Sequence, residues 1–154
     1  MDHSLMKQAL DLAVENTCQN GGPFAALVVK DGIVIATGVN QVTRLNDPTA
    51  HAEIMAIREA CRVLGDFRLE GCDLYASCEP CPMCLGALFW ARPDRIFYAA
   101  TARDAAAAGF DDQFISEQMR LPAGERAIPI VHLVHEDAGR PFVAWAGKPD
   151  KKKY

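Results

Sequence analysis

The residues best suited to chemistry fall in two short runs. His51-Ala52-Glu53 follows a polar stretch, and Pro80-Cys81-Pro82-Met83-Cys84 follows an apolar one. An imidazole and two thiolates, His51, Cys81 and Cys84, make a three-ligand zinc site. Its fourth position is left for water, which is the donor count of a catalytic rather than a structural zinc. Zinc lowers the pKa of such a water to about 7, so hydroxide is available at neutral pH. Attack on an amidine-like carbon also needs a group that takes the water proton and delivers it to a ring nitrogen and the leaving amine. Glu53, two residues past His51, is placed for this and need not touch the metal.

Each run has a plainer reading when taken alone. A single Cys-x-x-Cys is often a redox pair or half of a structural zinc site, and His51 by itself reads as a satisfied polar residue. Cys78, Cys81 and Cys84 also spell C-x-x-C-x-x-C, part of an iron–sulfur run. The position that would hold the fourth cysteine is Leu88. His-x-Glu combined with Pro-Cys-x-x-Cys, each opening a helix, favours a catalytic zinc. It is the signature known for zinc-dependent nucleobase deaminases.

The elements that must position these residues can be read from periodicity. Leu5, Ala9, Leu12 and Ala13 form one apolar helical stripe, which stops near Asn20-Gly21-Gly22. Residues 24–30 and 33–39 are apolar and rich in β-branched side chains. Asp31-Gly32 between them predicts a two-residue hairpin turn. Residues 42–50 read as a polar loop. The helix that follows buries Ile54, Ile57, Cys61 and Leu64 and ends at Gly65. Residues 72–77 read as a buried strand, and Pro82 suits the first turn of the next helix. Cys81 and Cys84, three apart, share a face of that turn, where the helix dipole favours thiolates. Strands at 95–99 and 130–134, a helical stretch near 113–120 and a last helix around 142–146 complete the order. A mixed sheet of about five strands, with helices on both faces, is expected.

Composition narrows the class. The 154 residues are half apolar and carry a formal net charge of −4, which suits one domain spanning 1–154 and a small neutral substrate better than a nucleic acid. The single basic run, Lys151-Lys152-Lys153, reads as a solvated tail. No apolar stretch is long enough to span a membrane, and the first residues lack the features of a signal peptide, so a cytoplasmic protein is expected. Cys18, Cys61 and Cys72 read as small apolar residues.

The chain resembles the cytidine deaminase-like superfamily, and within it the bacterial guanine deaminases. The resemblance runs from the first helix to Tyr154. It is carried by Gly21-Gly22-Pro23-Phe24, by the run 46–53, by Ser77-Cys78-Glu79-Pro80-Cys81-Pro82-Met83-Cys84 and the residues to Ala87, by Phe89-Trp90-Ala91-Arg92, by Ala108-Gly109-Phe110-Asp111-Asp112 and by Lys152-Lys153-Tyr154. It implies a three-layer α/β/α fold with a mixed five-stranded sheet, a homodimer, and hydrolysis of guanine to xanthine and ammonia. It also implies one zinc per subunit on His51, Cys81 and Cys84, with Glu53 as proton shuttle. Phe24, Asn40, Ala52, Trp90 and Asp112 match positions around the purine. In this group the C-terminal segment can cross to the neighbouring subunit, which would make Tyr154 a lid residue supplied in trans.

Hydrogen-bond chemistry supports the guanine reading. Guanine's N1–H and C2 amino group are both donors, and the carboxylate of Asp112 is acceptor-only, so Asp112 is expected to hold that edge and, as a catalytic residue beside Glu53, to relay a proton to the departing ammonia. Adenine would oppose that carboxylate with an N1 lone pair. Asn40 offers a donor and an acceptor to the mixed O6 and N7 edge. The plainer readings are a turn or cap role for Asp112 and ordinary core for Phe24 and Trp90. The rivals are a tRNA adenosine deaminase, a guanosine deaminase with room for ribose, and a non-catalytic module that keeps zinc for stability. Net charge, Asp112 and Trp90 oppose the first, and an intact Glu53 opposes the last. Glu79 has no role assigned from sequence.

Overall fold

The computed structural model describes residues 2–153, which form two compact units divided between Gln113 and Phe114. The first unit is built on a hairpin. Strands β1 (Ala25–Lys30) and β2 (Ile33–Val39) are antiparallel, with Lys30 opposite Ile33. The turn places Asp31 at φ 51° and Gly32 at φ 77°, the two positive angles that a two-residue turn matched to strand twist requires. β3 (Cys72–Cys78) pairs antiparallel with β1, and β4 (Arg95–Ala100) pairs parallel with β3. The sheet order is β2-β1-β3-β4.

Alternation along β1 divides the core. Ala26 and Val28 face one layer, where α3 (Ala52–Leu64) and α4 (Pro82–Ala91) contribute Ala52, Ala56, Ala60, Leu88 and Ala91. Leu27 and Val29 face the other, where α1 (His3–Cys18) contributes Ala9, flanked by Leu5, Met6 and Leu12. The three-layer arrangement expected from sequence is therefore present. The buried face of α3 differs from expectation: its centre is the alanine row 52, 56 and 60, and Ile57, Cys61 and Leu64 flank it half-buried. Gly38 on β2 is the cause. A Cβ there would overlap the Ala52 carbonyl oxygen and the Ala56 amide nitrogen and lie 3.0 Å from Ala56 Cα. The helix backbone rests directly on the strand, which leaves no depth for larger side chains at the line of contact.

Two short helices go beyond the pattern read from periodicity: α2 (Val42–Leu45) lies in the expected polar loop, and α5 (Ala102–Ala107) follows β4. The expected fifth strand is a correction. The sheet has four strands among the described residues, and residues 130–134 form no ladder with any of them. Their alternation and β-branching satisfy the side-chain pattern of a strand. A strand also needs a neighbour for its N–H and C=O groups, and no strand among the described residues of the second unit supplies one.

The second unit contains α6 (Gln113–Arg120, which begins at the boundary), a 3-10 turn at Ala123–Glu125 and α7 (Arg140–Gly147). The helices expected near 113–120 and 142–146 are thus found. Its apolar residues Ile128, Val131, Leu133 and Val134 are exposed, Leu133 by 83%. Among the described residues, no helix is long and apolar enough to cross a membrane.

Candidate active site

Two helix starts converge at the candidate zinc ligands. His51 is the N-cap of α3, in extended conformation, and its side chain does not cap the helix. Cys81 is the N-cap of α4, with Pro82 at the first helical position and Cys84 one turn in. The imidazole freed from capping reaches both sulfurs: His51 Nδ1 lies 3.6 Å from Cys81 Sγ and 3.6 Å from Cys84 Sγ. The three ligand atoms lie within 4.8 Å of one another. With Zn–S near 2.3 Å and Zn–N near 2.05 Å, tetrahedral geometry places nitrogen and sulfur about 3.6 Å apart. The donor set and its spacing both suit zinc.

The protons of the site are shared. The Cys81 thiol is pulled down to about 4, chiefly by its hydrogen bond from Cys84 and further by His51. Cys84, which donates to Cys81 and is buried, is pushed well above the usual thiol range. The hydrogen bond to Cys81 also raises the His51 imidazole, against its burial. Cys78 stands apart from the ligand group. Burial pushes its thiol up to about 11, and its Sγ donates to the Thr101 carbonyl at 3.5 Å. That disposition does not support the iron–sulfur alternative.

Glu53, one residue inside α3, is only 7% exposed. Burial raises its carboxyl, and the neighbouring Cys81 adds to the rise, while a hydrogen bond from Cys84 lowers it in part. A carboxyl so placed holds a proton more readily than an ordinary glutamate, which suits a group that must accept and return one.

Asn40 and Phe24 stand at the two ends of the hairpin, beside each other. Asn40 is buried; its N–H donates to the Phe24 carbonyl at 3.0 Å and its Oδ1 accepts from Val42 N at 3.3 Å. Gly22 packs on its carboxamide, since a Cβ there would lie 3.0 Å from Asn40 Cγ and Oδ1. The Phe24 ring is half-buried and meets Phe110 edge-on, with centroids 5.0 Å apart at 88°. Asp112 follows two residues later. Just before α6, Asp111 Oδ1 accepts from Gln113 N at 2.9 Å, two residues along the chain. Burial raises the Asp112 carboxyl, with the Cys81 charge adding to it, and His51 in turn feels the Asp112 charge. Asp112 thus shares an electrostatic neighbourhood with the ligands.

The other residues matched to the purine site divide. Ala52 is buried at the first position of α3. Trp90 is 63% exposed near the far end of α4, six residues and so about 9 Å along the axis from Cys84. Tyr154 lies outside the described residues. Glu79 now has a structural role: its Oε2 accepts from Ala102 N at 3.0 Å and its N–H donates to the Ala100 carbonyl at 2.8 Å, tying the ligand loop to the start of α5. Sequence reasoning misses Gly38 and Asn16. Both leave a signal: a glycine inside a strand marks a close backbone approach, and Asn16 is a polar residue that continues the apolar stripe of α1.

Over residues 1–100 the chain matches the cytidine and deoxycytidylate deaminase zinc-binding region. It belongs to that family of zinc-dependent deaminases. Guanine deaminase from Bacillus subtilis (strain 168) is 54% identical over 156 aligned residues, covering 100% of both chains. The crystal structure of the Bacillus subtilis guanine deaminase matches with a TM-score of 0.97 over 100% of this chain and 99% of that one. A guanine deaminase from Nitrosomonas europaea matches at 37% identity and a TM-score of 0.70, over 73% of this chain and 65% of its own. A tRNA-specific adenosine deaminase from Aquifex aeolicus (strain VF5) is 49% identical over 78 residues, 51% of this chain and 52% of its own.

Proposed function

We infer that this protein hydrolyses guanine to xanthine and ammonia. The observation that carries the reading is full-length similarity to a guanine deaminase, joined to a His51, Cys81 and Cys84 triad spaced for zinc. A zinc ion held by His51, Cys81 and Cys84 would supply an acidified water as nucleophile. Glu53 is placed to carry one proton from the attacking water to the ring nitrogen beside C2, and a second, from the hydroxyl added at C2, to the departing amino group. The C2–O bond forms first, by addition of water across the ring C=N bond; the C2–N bond to the amino group then breaks, and ammonia leaves. Asp112 accepts from N1–H and the C2 amino group, and Asn40 addresses the O6 and N7 edge. Phe24, backed by Phe110, forms an aromatic side of the base site. Ala52 offers the first amide of α3, one of the helix N–H groups without an intrahelical acceptor. Trp90 is assigned to the aromatic surroundings of the purine, and Tyr154 to a lid supplied in trans.

The working form is a cytoplasmic homodimer. The exposed apolar residues between Ile128 and Val134, with Phe142 and Val143, need a cover. A second copy supplies it, through exchange of the C-terminal segment. Light scattering on the purified protein tests the dimer. Ammonia release from guanine, guanosine, adenine, cytosine and cytidine by the zinc-loaded protein tests the activity. Turnover of guanine alone is expected. Efficient turnover of adenine, or of adenosine in a tRNA anticodon loop, overturns the guanine reading and leaves a zinc deaminase.

A further inference from the structure

Asn16 lies on α1, 24 positions before Asn40, and is 3% exposed. Its Nδ2 donates to the Gly22 carbonyl at 2.8 Å and to the Asn40 carbonyl at 2.9 Å. A carboxamide has two N–H bonds on that nitrogen, and here each goes to a different chain segment. One segment leads into Phe24 and the other carries Asn40. Because both partners are acceptors, only this orientation of the amide satisfies them.

The surroundings reinforce the contact. The Asn16 backbone carbonyl accepts from Gly21 N at 2.9 Å, so the same residue grips the turn by main chain and side chain. Gly21 leaves no room for more: a Cβ there would overlap the Asn16 carboxamide. The two gripped segments are also joined to each other, by Asn40 N donating to the Phe24 carbonyl at 3.0 Å. Release of the amide frees the Gly22 turn and the Asn40 main chain together.

We propose that Asn16 is a positioning residue for the base-binding wall, which clamps Asn40 and the turn before Phe24 through one buried amide. The proposal rests on the reading that Asn40 and Phe24 contact the base. It makes Asn16 matter for holding substrate and not for the proton transfers at Glu53. Neither zinc ligand loop touches it through a hydrogen bond seen among the described residues.

Steady-state kinetics of the zinc-loaded protein on guanine test this. Asn16→Leu keeps the branching of the side chain and removes both donors; Asn16→Asp keeps the shape and presents oxygens to both carbonyls. Gly21→Ala leaves Asn16 intact and displaces its amide, which keeps the test available should the Asn16 variants fold poorly. Each is expected to raise KM by about tenfold or more with kcat within about threefold, the pattern of lost binding, and to retain zinc. Asn40→Ala is the reference. Once Asn40→Ala is present, Asn16→Leu should raise KM by less than it does alone, because the part that acts through the Asn40 side chain is already lost. If Asn40→Ala raises KM but Asn16→Leu and Gly21→Ala do not, the clamp is refuted and the base-site reading stands. If Asn40→Ala leaves KM unchanged, the base-site reading fails and the proposal fails with it. A loss of kcat or zinc with KM unchanged in the Asn16 and Gly21 variants shows general damage and also overturns it.

Discussion

The contact between Gly38 and α3 offers a sharp test of how the fold positions the site. Gly38→Ala adds one methyl group at a point where the Ala52 carbonyl oxygen and the Ala56 amide nitrogen already occupy the space. Both obstacles are helix backbone, so no side chain can swing aside. Relief to an ordinary separation of about 3.5 Å requires the first turn of α3 to lift by on the order of 1 Å. Overpacking of this kind costs roughly 1 to 3 kcal/mol. For a chain of this size that corresponds to a melting temperature lower by about 3 to 10 °C. The same turn carries His51 at its cap and Glu53 at its second position. Its displacement therefore disturbs the 3.6 Å spacing from His51 to both sulfurs. A misplacement of about 1 Å in a catalytic constellation can cost on the order of 10² in rate. The assay is a thermal melt, zinc content and kcat/KM on guanine, run beside Gly86→Ala. A Cβ at Gly86 meets nothing within 4 Å, and alanine improves helix propensity there by up to about 1 kcal/mol. A Gly38→Ala protein with unchanged melting temperature and unchanged kcat/KM would refute the account of α3 seated on β2.

Three further outcomes follow from the site. Glu53→Gln keeps zinc, since Glu53 is outside the ligand group, and loses about 10² to 10⁴ in kcat; near-full turnover would show that the proton moves by another route. Asp112→Asn retains zinc and much of the affinity for guanine, because the amide can turn its oxygen to the donors, but kcat falls by about tenfold or more, roughly 1.4 kcal/mol of transition-state stabilisation; unchanged kcat removes Asp112 from the mechanism. Zinc uptake at pH 7 releases about one proton, that of Cys84, because Cys81 is already ionised, and the upward shift of His51 adds to the release. Calorimetry in buffers of different ionisation enthalpy measures that release, and affinity should weaken as the pH falls; a pH-independent affinity would contradict the ligand set.

The sequence by itself determined whatever depends on a few neighbouring residues. The Asp31-Gly32 turn, the stop at Gly65 with φ 66°, Pro82 in the first turn of α4 and the pairing of Cys81 with Cys84 are matters of local dihedrals and one helical turn. The ligand types, with Glu53 beside His51, likewise specified the chemistry before any fold was known. Only the tertiary structure decided what depends on distances between remote segments. It brought His51 to 3.6 Å from sulfurs thirty-odd positions along the chain. It made an alanine row, and not Ile57 and Leu64, the centre of the α3 contact, because Gly38 lets the backbones approach. It joined Asn16 to Asn40 across 24 positions through a buried amide. It also left residues 130–134 outside the sheet despite a strand's pattern. Periodicity records which way side chains face, whereas pairing and close approach depend on which other segment arrives alongside, and no local signal encodes that arrival.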